Sequence, residues 1–198
     1  MEGNMKIEAA NKEDAGELAY LINLAGEGFP ELLWSGMVEG SETPLQVGAK
    51  RAAREEGGFS YTNAKVIRIE EDIAGMVISY KLDDPYDIGD LADYPEPVRS
   101  LIQLEAKVPG SWYINAIATH ENYRGRGIAT KLMADAEMQA REHGANTMSL
   151  IVSSENRLAR SLYLNMEYRI VSSLPVASHL SFIHGGIWEL MVKPVPNE

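Results

Sequence analysis

Two arginines alternate with two glycines, Arg124-Gly125-Arg126-Gly127, where an apolar run gives way to a helical pattern. The run, Trp112, Tyr113, Ile114, Ala116, Ile117 and Ala118, reads as a buried strand. Ile128, Leu132, Ala136 and Ala140 then recur at helical spacing and lay an apolar stripe along the next segment. The first-turn N–H groups of a helix have no partner inside it, and its dipole places partial positive charge there. Without Cβ atoms, Gly125 and Gly127 let those amides close on an anion, while Arg124 and Arg126 add charge and donors. The chemistry this suits is the seating of a pyrophosphate.

Neither of the two commonest phosphate signatures is present. Thr130 stands where G-x-G-x-x-G wants its last glycine, and no G-x-x-x-x-G-K-[ST] occurs. More than a hundred residues precede the glycines, whereas a Rossmann fingerprint follows the first strand. Arg124-Gly125-Arg126-Gly127-Ile128-Ala129 instead resembles the [Q/R]-x-x-G-x-[G/A] acyl-CoA signature of the GNAT superfamily of N-acetyltransferases. The segment from Glu155 to Tyr168 resembles that family's N-x-x-A-x-x-[LF]-Y-x-x-x-G-[FY] helix and strand start, with Glu167 where the family has glycine. The resemblance covers roughly residues 59–171.

The resemblance implies an α/β fold: a twisted mixed sheet flanked by helices and splayed at the cofactor-binding strand, in a single domain over residues 1–198. It implies transfer of an acetyl group from acetyl-CoA to a primary amine of a small molecule or peptide. Pantetheine would pair with the backbone of Ile117, Ala118 and Thr119. The pyrophosphate would lie on the amides of Gly125, Gly127, Ile128 and Ala129, with Arg124 and Arg126 as charge partners. Asn156 matches the family's asparagine near the cofactor, and is equally a helix-cap residue. Tyr163 matches the tyrosine that protonates the departing sulfur; an unperturbed phenol, with a pKa of ~10, is available as an acid at neutral pH. Leu158, Leu162 and Tyr163 share a helical face, so the other reading of Tyr163 is a core aromatic.

The acceptor, by the same resemblance, enters over Phe29 to Trp34 and Ser172 to Gly186, which makes Phe29, Trp34 and His184 substrate candidates; Asn115, on the signature strand, is a further one, to hydrogen-bond a substrate or orient a water. Glu70, Glu105, His120 and His184 are general-base candidates by residue type alone, and a water relay is an equal alternative. Two other functions fit the residues: a non-catalytic CoA-binding regulatory module of this fold, and a different phosphate-anchored, nucleotide-binding enzyme.

Composition bounds the partners. The 198 residues suit one domain with a sizeable core, and 18 basic against 29 acidic residues give a net charge of −11. That balance opposes a nucleic-acid partner, which would want a basic face, and suits a cationic amine. There is no cysteine, hence no disulfide or thiolate nucleophile, and no His spacing implies a metal. No apolar run approaches a membrane span and Met1-Glu2-Gly3-Asn4 is no signal sequence, so a cytoplasmic protein without a membrane partner is expected. A homodimer is compatible with this reading.

The surrounding elements must position these groups. Met5 to Ala10 reads as a strand, Asn11 as the cap of a helix with Leu18, Leu21 and Ile22 on one face, and Gly26-Glu27-Gly28 as its end. Phe29 to Trp34 is a short helical piece or tight loop carrying exposed aromatics. Thr43-Pro44 starts a third helix. A hairpin turns at Glu70-Glu71-Asp72, with Ile67 and Val77 on its two arms. Asp83 to Glu96 is a long acidic loop, a solvated linker or a functional segment. A helix to Lys107 follows, and after the glycine-bearing helix come the strand Met148 to Val152, a helix ending near Asn165, and strands Tyr168 to Val171 and Ile187 to Val192. Between the last two lies a loop with His179, Phe182 and His184.

Overall fold

The structure, a computed structural model, describes residues 5–177 and 186–196. The chain divides into two compact units: one holds the chain up to Tyr80 together with Asn115–Ala136, the other Lys81–Ile114 together with the chain from Glu137 onward. Among the described residues, seven strands form a mixed sheet: β1 (Lys6–Ala9), β2 (Ala64–Ile69), β3 (Asp72–Lys81), β4 (Trp112–Thr119), β5 (Thr147–Ser153), β6 (Arg169–Pro175) and β7 (Ile187–Pro194). Their order is β1-β2-β3-β4-β5-β7-β6. β4 and β5 run parallel, while the β1–β2, β2–β3, β5–β7 and β6–β7 pairs are antiparallel.

In the first unit, Asn11 opens the helical stretch through a capping box. Its side chain takes the Glu13 N–H at 3.0 Å, and Asp14 returns a bond to the Asn11 N–H at 2.9 Å. Helix α1 (Ala15–Ala25) follows and buries Leu18, Leu21 and Ile22 almost completely. Each such side chain is worth roughly 1.5–3 kcal/mol removed from water. Helix α3 (Pro44–Ala52) starts at Thr43, also with a capping box, and its Val47 joins α1 and the β2–β3 face in one core.

Between them, Phe29 to Trp34 folds as helix α2 (Phe29–Ser35), and its aromatics are not exposed: Phe29 is buried and Trp34 belongs to that same core. The expectation of surface aromatics is corrected by this packing. A short helix beside α1 and α3 turns one side of itself inward, and the largest side chain occupies that side.

In the second unit, helix α4 (Glu96–Glu105) precedes β4. The acidic loop before it is locally structured, since Asp87 takes the Gly89 N–H at 2.9 Å and Asp90 the Ala92 N–H at 2.8 Å. Strand β6 runs to Pro175, past the expected end at Val171, because it pairs with β7 as far as Pro175↔Ile187. His179, Phe182 and His184 lie outside the described residues. No described helix is long and apolar enough to cross a membrane.

Candidate active site

The end of β4 and the start of helix α5 (Ile128–Glu142) carry the first group of candidate residues. After Thr119 a 3₁₀ turn over Glu121–Tyr123 is capped by His120, whose Nδ1 takes the Asn122 N–H at 3.3 Å. Gly125 and Gly127 both have φ of +75°, backbone that L side chains rarely adopt, and a Cβ at either would project into open space. The first backbone bond of α5 runs from the Lys131 N–H to the Gly127 carbonyl. The N–H groups of Ile128, Ala129 and Thr130 precede it and lack an intrahelical partner. Arg124 and Arg126 are exposed and have no ion-pair partner among the described residues. Arg126 stacks 5.2 Å from the Tyr123 ring centroid, and the Tyr123 hydroxyl donates to Asp72 at 2.7 Å.

Gly75 on β3 fixes where this helix starts, a contact with no signal in the sequence. A Cβ there would stand 2.6 Å from Ile128 Cγ2 and 2.9 Å from the Ala118 carbonyl. The first turn of α5 therefore lies directly on the sheet. On β4, Ala118 is buried while Asn115, Ile117 and Thr119 are half-buried. The ladder to β5 covers only Trp112, Ile114 and the residue between them, and stops at Ile114↔Leu150 although β4 runs on to Thr119.

A second group of candidate residues lies on helix α6 (Arg157–Asn165). Asn156 is its N-cap, taking the Ala159 N–H on Oδ1 at 3.1 Å. At the other end the Tyr168 N–H bonds the Tyr163 carbonyl at 3.0 Å, and Glu167 between the helix and β6 has φ of +69°. This is a Schellman closure, with Glu167 taking the left-handed conformation that the family's glycine adopts easily. The closure folds the Tyr168 ring back onto Tyr163, their centroids 6.0 Å apart. Arg160 anchors the helix one turn earlier by two bonds to the buried Glu189 of β7, at 2.6 and 3.3 Å.

Tyr163 is buried, whereas Leu158, grouped with it on one face in the sequence reading, is 86% exposed. Burial pushes the Tyr163 phenol up to about 12, so it is protonated throughout the neutral range. The same cause raises Tyr168 further, with the charges of Tyr163 and Glu137 adding to it.

The general-base candidates are scattered. Glu70 sits at the β2–β3 turn with φ of +58°, exposed. His120 lines a cavity of about 390 Å³ whose other walls include Glu13, Glu17, Arg68, Asp72 and Tyr123. Glu105 is held above the usual carboxylate range by burial, while hydrogen bonds from the Tyr86 and Tyr113 hydroxyls pull it back down. The Tyr86 bond is 2.6 Å. Among the described residues no group of His, Cys, Asp or Glu is placed to hold a metal ion.

The model of the Acetyltransferase (GNAT) family matches residues 27–168. An N-acetyltransferase from Staphylococcus aureus Mu50 is 22% identical, with 95% of this chain and 100% of that one aligned at a TM-score of 0.63. A polyamine N-acetyltransferase of Drosophila melanogaster, which forms N-acetylagmatine, is 16% identical over 96% of this chain and 100% of its own, at a TM-score of 0.66. An agmatine N-acetyltransferase is 15% identical over 96% and 99%, also at 0.66. These likenesses are of fold. No curated protein sequence matches the chain.

Proposed function

The chain belongs to the GNAT family of acetyltransferases, and from that premise we propose that it carries an acetyl group from acetyl-CoA to a primary amine. The observation that supports this most directly is the start of α5. There two left-handed glycines, an unbonded first turn and two arginines without ion-pair partners among the described residues converge. A Cβ-free cradle beside two such cations fits a pyrophosphate even in a chain of net charge −11. The family match runs through both compact units, which favours reading the whole chain as one catalytic domain.

Acetyl-CoA, when bound, supplies a thioester whose C–S bond breaks as the amine nitrogen forms its bond to the acetyl carbon. Gly125, Gly127, Ile128 and Ala129 hold the phosphates through backbone N–H groups, with Arg124 and Arg126 as counter-charges. The backbone of Ile117, Ala118 and Thr119 pairs with the pantetheine, which suits a strand edge whose ladder stops at Ile114. Asn156 keeps α6 in place as its cap and so aims Tyr163. The amine's proton passes to solvent.

Tyr163 serves the departing sulfur. A phenol near 12 is a weaker acid than a thiol near ~8.5, so complete transfer would cost about 5 kcal/mol. Tyr163 therefore acts chiefly by donating a hydrogen bond to charge developing on sulfur, which is worth most where water is excluded. The acceptor region is assigned to Asn115 and to α2, where Phe29 and Trp34 set the helix in place from beneath.

Calorimetry with acetyl-CoA tests the seat. Gly127→Val places a β-branched side chain where the phosphate approaches, in left-handed backbone, and is expected to weaken acetyl-CoA binding while the fold persists. Unchanged affinity in a folded variant would remove the seat from α5. Thiol release in the presence of agmatine, spermidine, amino acids and peptide N-termini then identifies the acceptor. Cationic amines come first, because the chain is acidic and two proteins of similar fold act on agmatine or polyamines. Binding of acetyl-CoA without release for any amine would favour a non-catalytic module.

A further inference from the structure

Asn115 follows the last β4 residue that pairs with β5, and is half-buried between the buried Ile114 and Ala116. Its Nδ2 donates to the Tyr80 hydroxyl at 2.8 Å. A carboxamide is planar, so tying Nδ2 fixes where Oδ1 points, and Oδ1 has no hydrogen-bond partner among the described residues. The backbone of Gly58 presses on this pair: a Cβ there would lie 2.7 Å from the Tyr80 hydroxyl and 3.1 Å from Asn115 Nδ2.

Gly58 has little room to retreat, because its loop is tied down on both sides. The Ser60 N–H and Asn63 Nδ2 both donate to the Gly57 carbonyl at 3.0 Å, Ser60 Oγ donates to the Arg54 carbonyl at 2.5 Å, and the Tyr61 hydroxyl donates to Glu55 at 2.8 Å. Three residues remote in sequence are thus assembled so that one amide oxygen is aimed and left without a donor among the described residues.

We propose that Asn115 Oδ1 receives an N–H of the acceptor amine, with Tyr80 and Gly58 as positioning residues that aim it. This rests on the acetyltransferase reading and extends it to the recognition of the nucleophile. A neutral oxygen acceptor selects a group that carries N–H donors. It neither attracts carboxylates nor responds to positive charge without a hydrogen to donate.

The test follows the side-chain amide signals of Asn115 in ¹⁵N-labelled protein loaded with CoA, titrated with propylamine. A saturable shift is expected from propylamine and none from tetramethylammonium, which has the charge but no N–H. Tyr80→Phe is expected to weaken the apparent propylamine affinity about tenfold, the loss of one orienting hydrogen bond. Gly58→Ala is expected to weaken it at least as much, with CoA affinity unchanged in both. No shift with propylamine, equal shifts from both cations, or an unchanged response in Tyr80→Phe and Gly58→Ala would each overturn the proposal. Failure of the parent to bind CoA at all would overturn the acetyltransferase reading instead.

Discussion

Tyr163 concentrates the residue-scale chemistry, and its burial has two opposed effects. Burial keeps the phenol protonated by raising its pKa to about 12, and the same shift makes it a reluctant proton donor. In the mechanism proposed, its contribution is then the hydrogen bond it offers, which Tyr163→Phe deletes while keeping the ring packed on Tyr168. Turnover is expected to fall by roughly 10²–10³-fold with little change in acetyl-CoA affinity. Because the phenol does not ionise near neutrality, the variant's pH–rate profile should keep the parent's shape below about pH 10. Stopped-flow or steady-state rates across that range decide it. Retained turnover would return Tyr163 to the role of a core aromatic, a reading its residue type equally allowed.

At the scale of elements, the turn from α6 into β6 shows how a local rule can be broken and its geometry kept. Glu167 occupies a left-handed position, φ of +69°, at which a side chain costs roughly 1–2 kcal/mol. The closure holds because the Tyr168 N–H reaches the Tyr163 carbonyl and the two rings meet. Glu167→Gly removes the strain and loses part of the gain to extra freedom in the unfolded chain. A net stabilisation of about 0.5–1 kcal/mol is expected. Urea unfolding should show it as a higher midpoint at unchanged m-value, and a lower midpoint would mean that Glu167 makes a compensating contact. The bidentate Arg160–Glu189 pair secures the same helix to β7, so Arg160→Ala should lower both the melting temperature and turnover.

At the scale of the whole molecule, Tyr163 and Tyr168, both raised by burial, make stability depend on alkaline pH. In the unfolded chain Tyr163 loses its proton near pH 10, and in the folded protein near about 12. Above about pH 10 the folded state thus binds more protons than the unfolded one, and stability falls as pH rises. Tyr163 alone accounts for ~2–3 kcal/mol across that window and for nothing below it. Tyr168 adds in the same direction. Urea midpoints measured from pH 7 to pH 11 should be flat at first and then decline, with a shallower decline in Tyr163→Phe.

The strand-to-helix turn proposed as the anion seat was legible in the chain from the order of residues alone. A strand, two glycines, two arginines and a helical stripe are contiguous, and the physics they use, unpaired N–H groups and free φ, is local to a few residues. The helix caps at Asn11, Thr43 and Asn156 were legible for the same reason. What only the tertiary structure decided depends on residues far apart in sequence. Trp34 is buried in the core it shares with α1 and α3, and Phe29 is buried too, although both read as surface aromatics. Gly75 set the α5 start by its contact with Ile128, and Glu105 found Tyr86 and Tyr113 as partners. Gly58, Tyr80 and Asn115 carry no common motif, and their meeting exists only because β3, β4 and a tethered loop converge there. Periodicity reports which face of an element is apolar, whereas burial and hydrogen-bond partners are settled by which faces meet.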